Sequence, residues 1–139
     1  MDTPLINGRA YSWADVKVML LGKKVDGITA INYGDTQEKQ NNYGAGIHAS
    51  SRGYGKLEAT ASITLEKKEV ERIQAALGPG RRLQDIAPFP ITVAYVNEAN
   101  LAVTHKLFNC EFTNNKREVK AGDMNIEVEL ELILSHIQW

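Results

Sequence analysis

Cysteine occurs once in these 139 residues, at Cys110. A single thiol excludes an internal disulfide and a multi-cysteine zinc site. Its place between Phe108 and Phe112 at strand parity predicts a small core residue rather than a nucleophile. Long apolar runs are missing too, so no stretch could cross a bilayer as a helix. The polar opening Met1-Asp2-Thr3-Pro4 does not read as a secretory signal. Charge of one sign is also lacking. Lys and Arg number 16 against 17 Asp and Glu, a formal net charge of −1. No overall basic field recruits nucleic acid.

Catalytic patterns are equally scarce. The histidines His48, His105 and His136 lie far apart, none at metal-ligand spacing from another donor. The glycine pairs Gly44-Ala45-Gly46 and Gly53-Tyr54-Gly55 precede a strand pattern rather than joining a strand to a helix. That is the wrong context for a dinucleotide site. Ser50-Ser51 has no base-and-orienter pattern beside it. Asp35 and Glu38 are close enough in sequence to act as paired carboxylates, against the plainer reading of a solvated loop. The expectation is no enzyme: no catalytic residue, no cofactor and no metal.

What is present is an ordinary globular composition, 43% hydrophobic and 24% charged, at a length suited to one domain over residues 1–139. Two stretches alternate cleanly. Leu57, Ala59, Ala61, Ile63 and Leu65 share one face of a strand, against Glu58, Thr60, Ser62 and Thr64. Ile126, Val128, Leu130, Leu132 and Leu134 oppose Glu127, Glu129 and Glu131 in a strand over 124–134. The parity of Val16, Val18 and Leu20 predicts another strand, returned by a hairpin partner at 25–33. Residues 91–97 and 101–113 read as a strand pair around the turn Glu98-Ala99-Asn100, with Phe108, Cys110 and Phe112 on one face. Residues 83–86 read as a single helical turn, and 114–123 as a polar loop.

Only 66–77 switches to helical spacing, with Val70, Ile73, Ala76 and Leu77 on one stripe. Thr64 is the expected N-cap, and Gly78 the left-handed end, before Pro79. The order ββ, arm, β, helix, βββ predicts an α+β class. The expected form is a mainly antiparallel β-sandwich or partial barrel with one flanking helix and a long inter-strand arm.

That arm is residues 34–56, GDTQEKQNNYGAGIHASSRGYGK. It is rich in glycine and has few apolar side chains, so it cannot build a core alone. Loops beyond ~12–15 residues without structure of their own are usually functional or disordered. Extended, it reaches ~70 Å at ~3.3 Å per residue, against a radius of gyration of ~14 Å for such a chain. Its part Asp35–Arg52 is expected to be mobile in the free subunit and ordered between subunits, against the next ring. Asp35, Gln37, Glu38, Asn42, Tyr43, Ile47, Arg52 and Tyr54 are its candidate assembly residues. A competing reading takes the chain as a small oligomeric β-domain that binds polysaccharide or nucleic acid. Tyr43, Arg52, Tyr54 and Lys56 would then be a thin stacking and cationic surface.

The segments NYGDTQEKQNNYGAG, SRGYGKLEATASITL, EVERIQAA, LQDIAPFPITVAYVNE and VTHKLFNCEFTNNKREVKAGDMNIEVELELILSHI together resemble phage tail tube proteins. The resemblance runs from about Tyr11 onward. It implies a β-sandwich or barrel subunit without catalytic site or cofactor. Six copies would close a ring, and rings would stack into a tube around a channel that DNA passes without specific binding. The tube of a phage-derived contractile injection particle is the alternative within the class. Implied partners are further copies of the chain, sheath, baseplate or tail tip, and tail terminator proteins. The implied place is the virion tail, assembled in the host cytoplasm. A sheet face turned to that channel would place Glu58, Glu127, Glu129 and Glu131 in the lumen, because carboxylates repel a polyanion.

Overall fold

Alternating burial decides where the strands run. The computed structural model describes residues 4–11, 13–21, 23–117 and 126–139. Among these, the strands are β1 (Leu5–Ile6), β2 (Ala14–Leu20), β3 (Lys23–Lys24), β4 (Ile28–Tyr43), β5 (Ala49–Glu66), β6 (Phe89–Val96), β7 (Ala102–Phe112), β8 (Glu127–Ile133) and β9 (His136–Gln138). Helix α1 (Lys67–Leu77) follows β5, and a 3-10 turn at Leu83–Asp85 precedes β6. The sheet order is β1-β4-β5-β8-β7-β6-β2-β3, with β9 paired to β7. The β1–β4 pair is parallel and the others are antiparallel. The chain is therefore α+β, an open, mainly antiparallel mixed sheet with one helix.

β7 joins the two halves of that sheet. Most of it pairs with β6, but Glu111 and Phe112 pair with Ile133 and Leu132 of β8. The register slips between Phe89↔Cys110 and Ile91↔Leu107, and Asn109 sits at φ +55° within the slip. An extra residue there bends a strand and increases its twist. It also breaks the expected parity of β7. Leu107, Cys110 and Phe112 are buried, while Phe108 is turned out of the core and stacks on His136, ring centroids 4.7 Å apart.

One core is common to both halves. Ile31, Ile63, Leu65, Val70, Ile73, Leu83, Ile91, Leu107 and Leu130 are each at most 2% exposed. Full burial of such a side chain is worth ~1.5–3 kcal/mol. α1 contributes Val70 and Ile73, with Leu77 half-buried behind them and Ala76 exposed. The buried Glu69 carboxylate accepts from the Arg72 guanidinium and from the Asp26 backbone N–H at 3.3 Å. This pins the helix to the segment leading into β4.

Three local expectations need correction. The hairpin partner of β2 is not residues 25–33. β3 makes a two-residue pairing with β2, after which Gly27, at φ +75°, turns the chain away. β4 then pairs with β1 and β5, and β2 takes β6 as its long partner. Thr64 does not cap the helix, because β5 runs on to Glu66, which occupies the N-cap without a side-chain bond. Gly78 ends α1 at φ +91°, ψ 170°, an extended form of positive φ rather than the compact left-handed one. The two-residue β1 and the three-residue β9 lie outside the sequence reading. Of the expected loop at 114–123 and strand at 124–134, residues 118–125 lie outside the described residues.

Truncation of Ile73 to Ala is expected to cost ~2–5 kcal/mol, as a fully buried aliphatic removed from a packed core. Denaturant unfolding of the unassembled protein measures it. Unchanged unfolding with impaired assembly would move the α1 stripe from core to interface.

Candidate assembly site

The stretch at 34–56 is not an irregular loop. β4 and β5 pair almost continuously from Ile28↔Leu65 to Tyr43↔Ala49, with the chain reversing over 44–48. The composition concealed this, because glycines and amides give no apolar alternation to read. Backbone pairing holds the segment instead of a buried face. β8 accompanies β5 only over 60–66, and β1 accompanies β4 only at Ala30 and Ile31. The Asn7 side chain accepts from the Tyr33 N–H at 2.9 Å and caps the edge one step further. Beyond that point the two strands continue as a two-stranded ribbon with both outer edges unpaired among the described residues. Nine residues, 35–43, at ~3.3 Å each carry it ~30 Å from the body.

The ribbon has two unlike faces. Cross-strand partners share a face, so the buried pairs Ile31/Ile63 and Tyr33/Ala61 continue outward as Asp35/Ala59, Gln37/Leu57, Lys39/Tyr54, Asn41/Arg52 and Tyr43/Ala49. Leu57, expected in the core, is 66% exposed because no second layer reaches that far. Lys39 Nζ lies 5.7 Å from the Tyr54 ring centroid, and Arg52 Nε donates to Asn41 Oδ1 at 3.1 Å. The reverse face carries Thr36/Glu58, Gln40/Gly53 and Asn42/Ser51. Glu38 packs against Gly55 on that side, where an added Cβ would stand 2.9 Å from the Glu38 Cβ. Ile47, 90% exposed, sits in the tip.

The predicted arm residues are thus divided. Asp35, Gln37, Tyr43, Arg52 and Tyr54 share one face, Glu38 and Asn42 take the other, and Ile47 is terminal. Asp35 and Glu38 point to opposite sides and cannot act as paired carboxylates.

The reverse face runs on into the body as the glutamate face. Ser62↔Glu131, Thr64↔Glu129 and Glu66↔Glu127 are cross-strand pairs. Glu127, Glu129 and Glu131 form one exposed row on β8, and Glu58 stands on the same face of β5, further out. Asn7, Asn32, Thr60, Ser62, Glu129 and Glu131 border a shallow, open concavity there. Among the described residues none of the four predicted glutamates makes an ion pair.

The ribbon's root is held by a group of rings that sequence reasoning missed. The Tyr33 hydroxyl and His105 Nδ1 share a hydrogen bond at 2.7 Å. Trp139 lies 5.6 Å from Tyr33 and 5.0 Å from His105, and its indole N–H donates to Asp35 Oδ2 at 2.9 Å. Tyr95 adds a contact to His105 at 5.8 Å, and Tyr11 stacks on Tyr95 at 4.3 Å. Such ring pairs prefer offset or edge-on geometries at these separations. Burial, with Tyr95 and Tyr11 nearby, pushes the Tyr33 phenol well above the usual tyrosine range. Burial lowers the His105 imidazole, and pushes the Cys110 thiol up to about 12. No local pattern announces this group, since its members come from five separate places in the chain.

No protein-family model matches this chain, and no curated protein does. Solved structures match across most of its length. A chain of the PVC sheath-tube complex, an extracellular contractile injection system in its extended state, aligns with a TM-score of 0.63 at 14% identity. The alignment covers 90% of this chain and 86% of that one. A chain of the anti-feeding prophage cap, which terminates the AFP tube, aligns with a TM-score of 0.56 at 12% identity, covering 88% and 85%. A chain of the AFP baseplate, 6-fold symmetrised, is similar at 15% identity, with a TM-score of 0.47 over 99% and 96%. The chain has a phage-tail-tube-like fold, shared with components of contractile injection systems.

His105 gives the root a pH dependence. Its folded value lies below the ordinary 6.5, so the unfolded chain takes up the proton first. Its contribution to stability is complete above about pH 6.5 and is lost as pH falls through the lower folded value. The melting temperature is expected to drop between about pH 7 and pH 5. His105→Gln should flatten that slope; an unchanged slope would place the dependence elsewhere.

Proposed function

We propose that this chain is a structural subunit of a phage-like tail tube, forming stacked hexameric rings around a channel for DNA. The observation that carries the reading is the ribbon: a ~30 Å extension of the central sheet with apolar side chains in water. In a free subunit only backbone pairing holds it, whereas a polymer would also cover its apolar side chains. The open sheet edges add to this, because exposed edges need a partner and ring closure supplies one by symmetry. The shared fold with injection-system components supports the same reading, and favours the tube of a contractile injection particle as its variant. The partners then proposed are further copies of the chain, a sheath, a baseplate and a terminator.

The alternative of a nucleic-acid surface on the ribbon is less well supported. The Lys39 ammonium occupies a ring face of Tyr54 that a base would need, and Arg52 is tied to Asn41.

Negative-stain microscopy of the purified protein tests the proposal: rings or tubes are expected, and a monodisperse monomer at every concentration would refute it. Replacing residues 38–56 with Asn-Gly keeps the pair Gln37↔Leu57 closed by a tight turn. That variant should fold with a near-native melting temperature yet form no tubes.

In this reading Glu58, Glu127, Glu129 and Glu131 line the channel. Converting the β8 triplet to Gln should leave tubes intact, and converting it to Lys should leave tubes that slow DNA passage, since each cation gained displaces counterions from the polyanion. Tubes of the Lys variant that pass DNA at the native rate would remove the lumen assignment.

A further inference from the structure

Trp139 stands just past the last pairing of β9, where Gln138 meets Lys106. The neighbouring Ile137 is buried and holds the strand, whereas Trp139 is 57% exposed. Its ring nevertheless covers two others. It meets the His105 imidazole edge-on at 5.0 Å and lies tilted beside the Tyr33 ring at 5.6 Å. Its indole N–H donates to Asp35 Oδ2, at the first residue of the ribbon. One side chain thus shields His105 and ties the ribbon's foot. No strand pairing of its own holds it there among the described residues.

We propose that Trp139 is a proton-operated lid: closed over neutral His105 it fixes the foot of the ribbon through Asp35, and it lifts when His105 takes up a proton. This is a property of the single chain and does not rest on the tube-subunit reading.

The chemistry of the closed group disfavours the cation. A neutral imidazole can accept at Nδ1, and the Tyr33 hydroxyl lies 2.7 Å from it. The imidazolium has only donors, so the phenol proton would lose its acceptor. The phenol does not release that proton instead, because burial pushes it well above the usual tyrosine range. Burial also lowers His105 below its ordinary 6.5.

The packed elements bring no free carboxylate to offset this. β4 presents Tyr33 and Asp35, and Asp35 is engaged by the indole N–H. β6 presents Tyr95, with Tyr11 stacked on it. Arg9, whose charge reaches Tyr95, is paired with Glu98. β5 presents Leu57, Ala59 and Ala61 on this side, none of which titrates. On β7 itself Lys106 stands on the opposite face, across from Thr92 and Gln138. His136 lies on that opposite face too, stacked on Phe108.

Tyr33 and Tyr95 sit inside long paired strands, so Trp139 is the member of the group that can move alone. Once it lifts, His105 regains water and Asp35 is untied. The foot of the ribbon then keeps only its strand pairing. By linkage, the ratio of lifted to closed lid rises as pH falls below about 6.5, by up to ~10-fold per unit. It levels off below the depressed closed-state value.

Two readouts on the unassembled full-length chain test this. In Trp13→Phe, Trp139 is the one remaining indole of the two. Acrylamide quenching of its fluorescence measures lifting. Hydrogen exchange at residues 35–37 and 57–59, corrected for the intrinsic pH dependence, measures the foot of the ribbon. From pH 8 to pH 5, quenching should rise and protection should fall together, with one midpoint below 6.5. His105→Gln should hold both flat, because Gln stays neutral. Trp139→Phe keeps a ring without an N–H, and should lower protection at pH 8 towards the acid level of the native chain. Quenching that does not change with pH, a transition that survives His105→Gln, or native protection in Trp139→Phe would overturn the proposal. NMR of the imidazoles adds a control without substitution. The His105 midpoint must match that of lifting, and a transition that follows His48 or His136 instead would also overturn it. Neither readout involves assembly, so the lid can fail while the tube reading stands.

Discussion

A β-strand holds its side chains in two rows, and β5, with a bulge between Leu57 and Tyr54, is long enough to carry those rows through two environments. Over Ala61, Ile63 and Leu65 one row is buried by β8, the helix and the far half of the sheet. From Leu57 outward the same row meets water. The reverse row is polar along its whole length. Everything distinctive about the molecule follows from this: a core at one end, a two-faced ribbon at the other, and a glutamate surface running past both. A break in β5 at Ala59 would have allowed the exposed part to fold back. The continuous pairing with β4 prevents that.

The parts that were legible in the sequence are those where burial and local period agree. Val128, Leu130 and Leu132 alternate because one side of β8 is core, and Val70 and Ile73 fall at helical spacing because one side of α1 is core. The ribbon was legible as a long segment unable to build a core of its own but not as paired strands. Its order comes from backbone hydrogen bonds, which leave no mark on side-chain pattern. Phe108 was misplaced because the slip at Asn109 shifts parity by one, and a sequence pattern has no means of announcing an inserted residue. The partner of β2 was misassigned because Lys23–Lys24 pairs so briefly before Gly27 redirects the chain. The ring cluster at the ribbon's root was invisible because Tyr33, Tyr95, His105 and Trp139 come together only through tertiary structure.

The glutamate face and the ring cluster lie on opposite sides of the same sheet region. Tyr33 points inward to His105, and its neighbours Asn32 and Gly34 border the polar concavity on the reverse. The root of the ribbon is thus packed on one side and hydrated on the other. The fold is one shared with components of contractile injection systems. A two-stranded ribbon alone in water is marginal. Here the rings and Trp139 hold its base, while the outer part is held by strand pairing alone.

The bond between Trp139 and Asp35 joins residues 104 positions apart. Synthesis runs from one end at ~5–20 residues per second, so Asp35 is made roughly 5–20 s before Trp139. Throughout that interval the ribbon exists without the side chain that fixes its foot. Residues of β7, β8 and β9 must also be made before the far half of the sheet can close around Tyr33. The sticky element of the chain is therefore built early and aimed late. Its direction becomes fixed only once Trp139 and the far half of the sheet are in place.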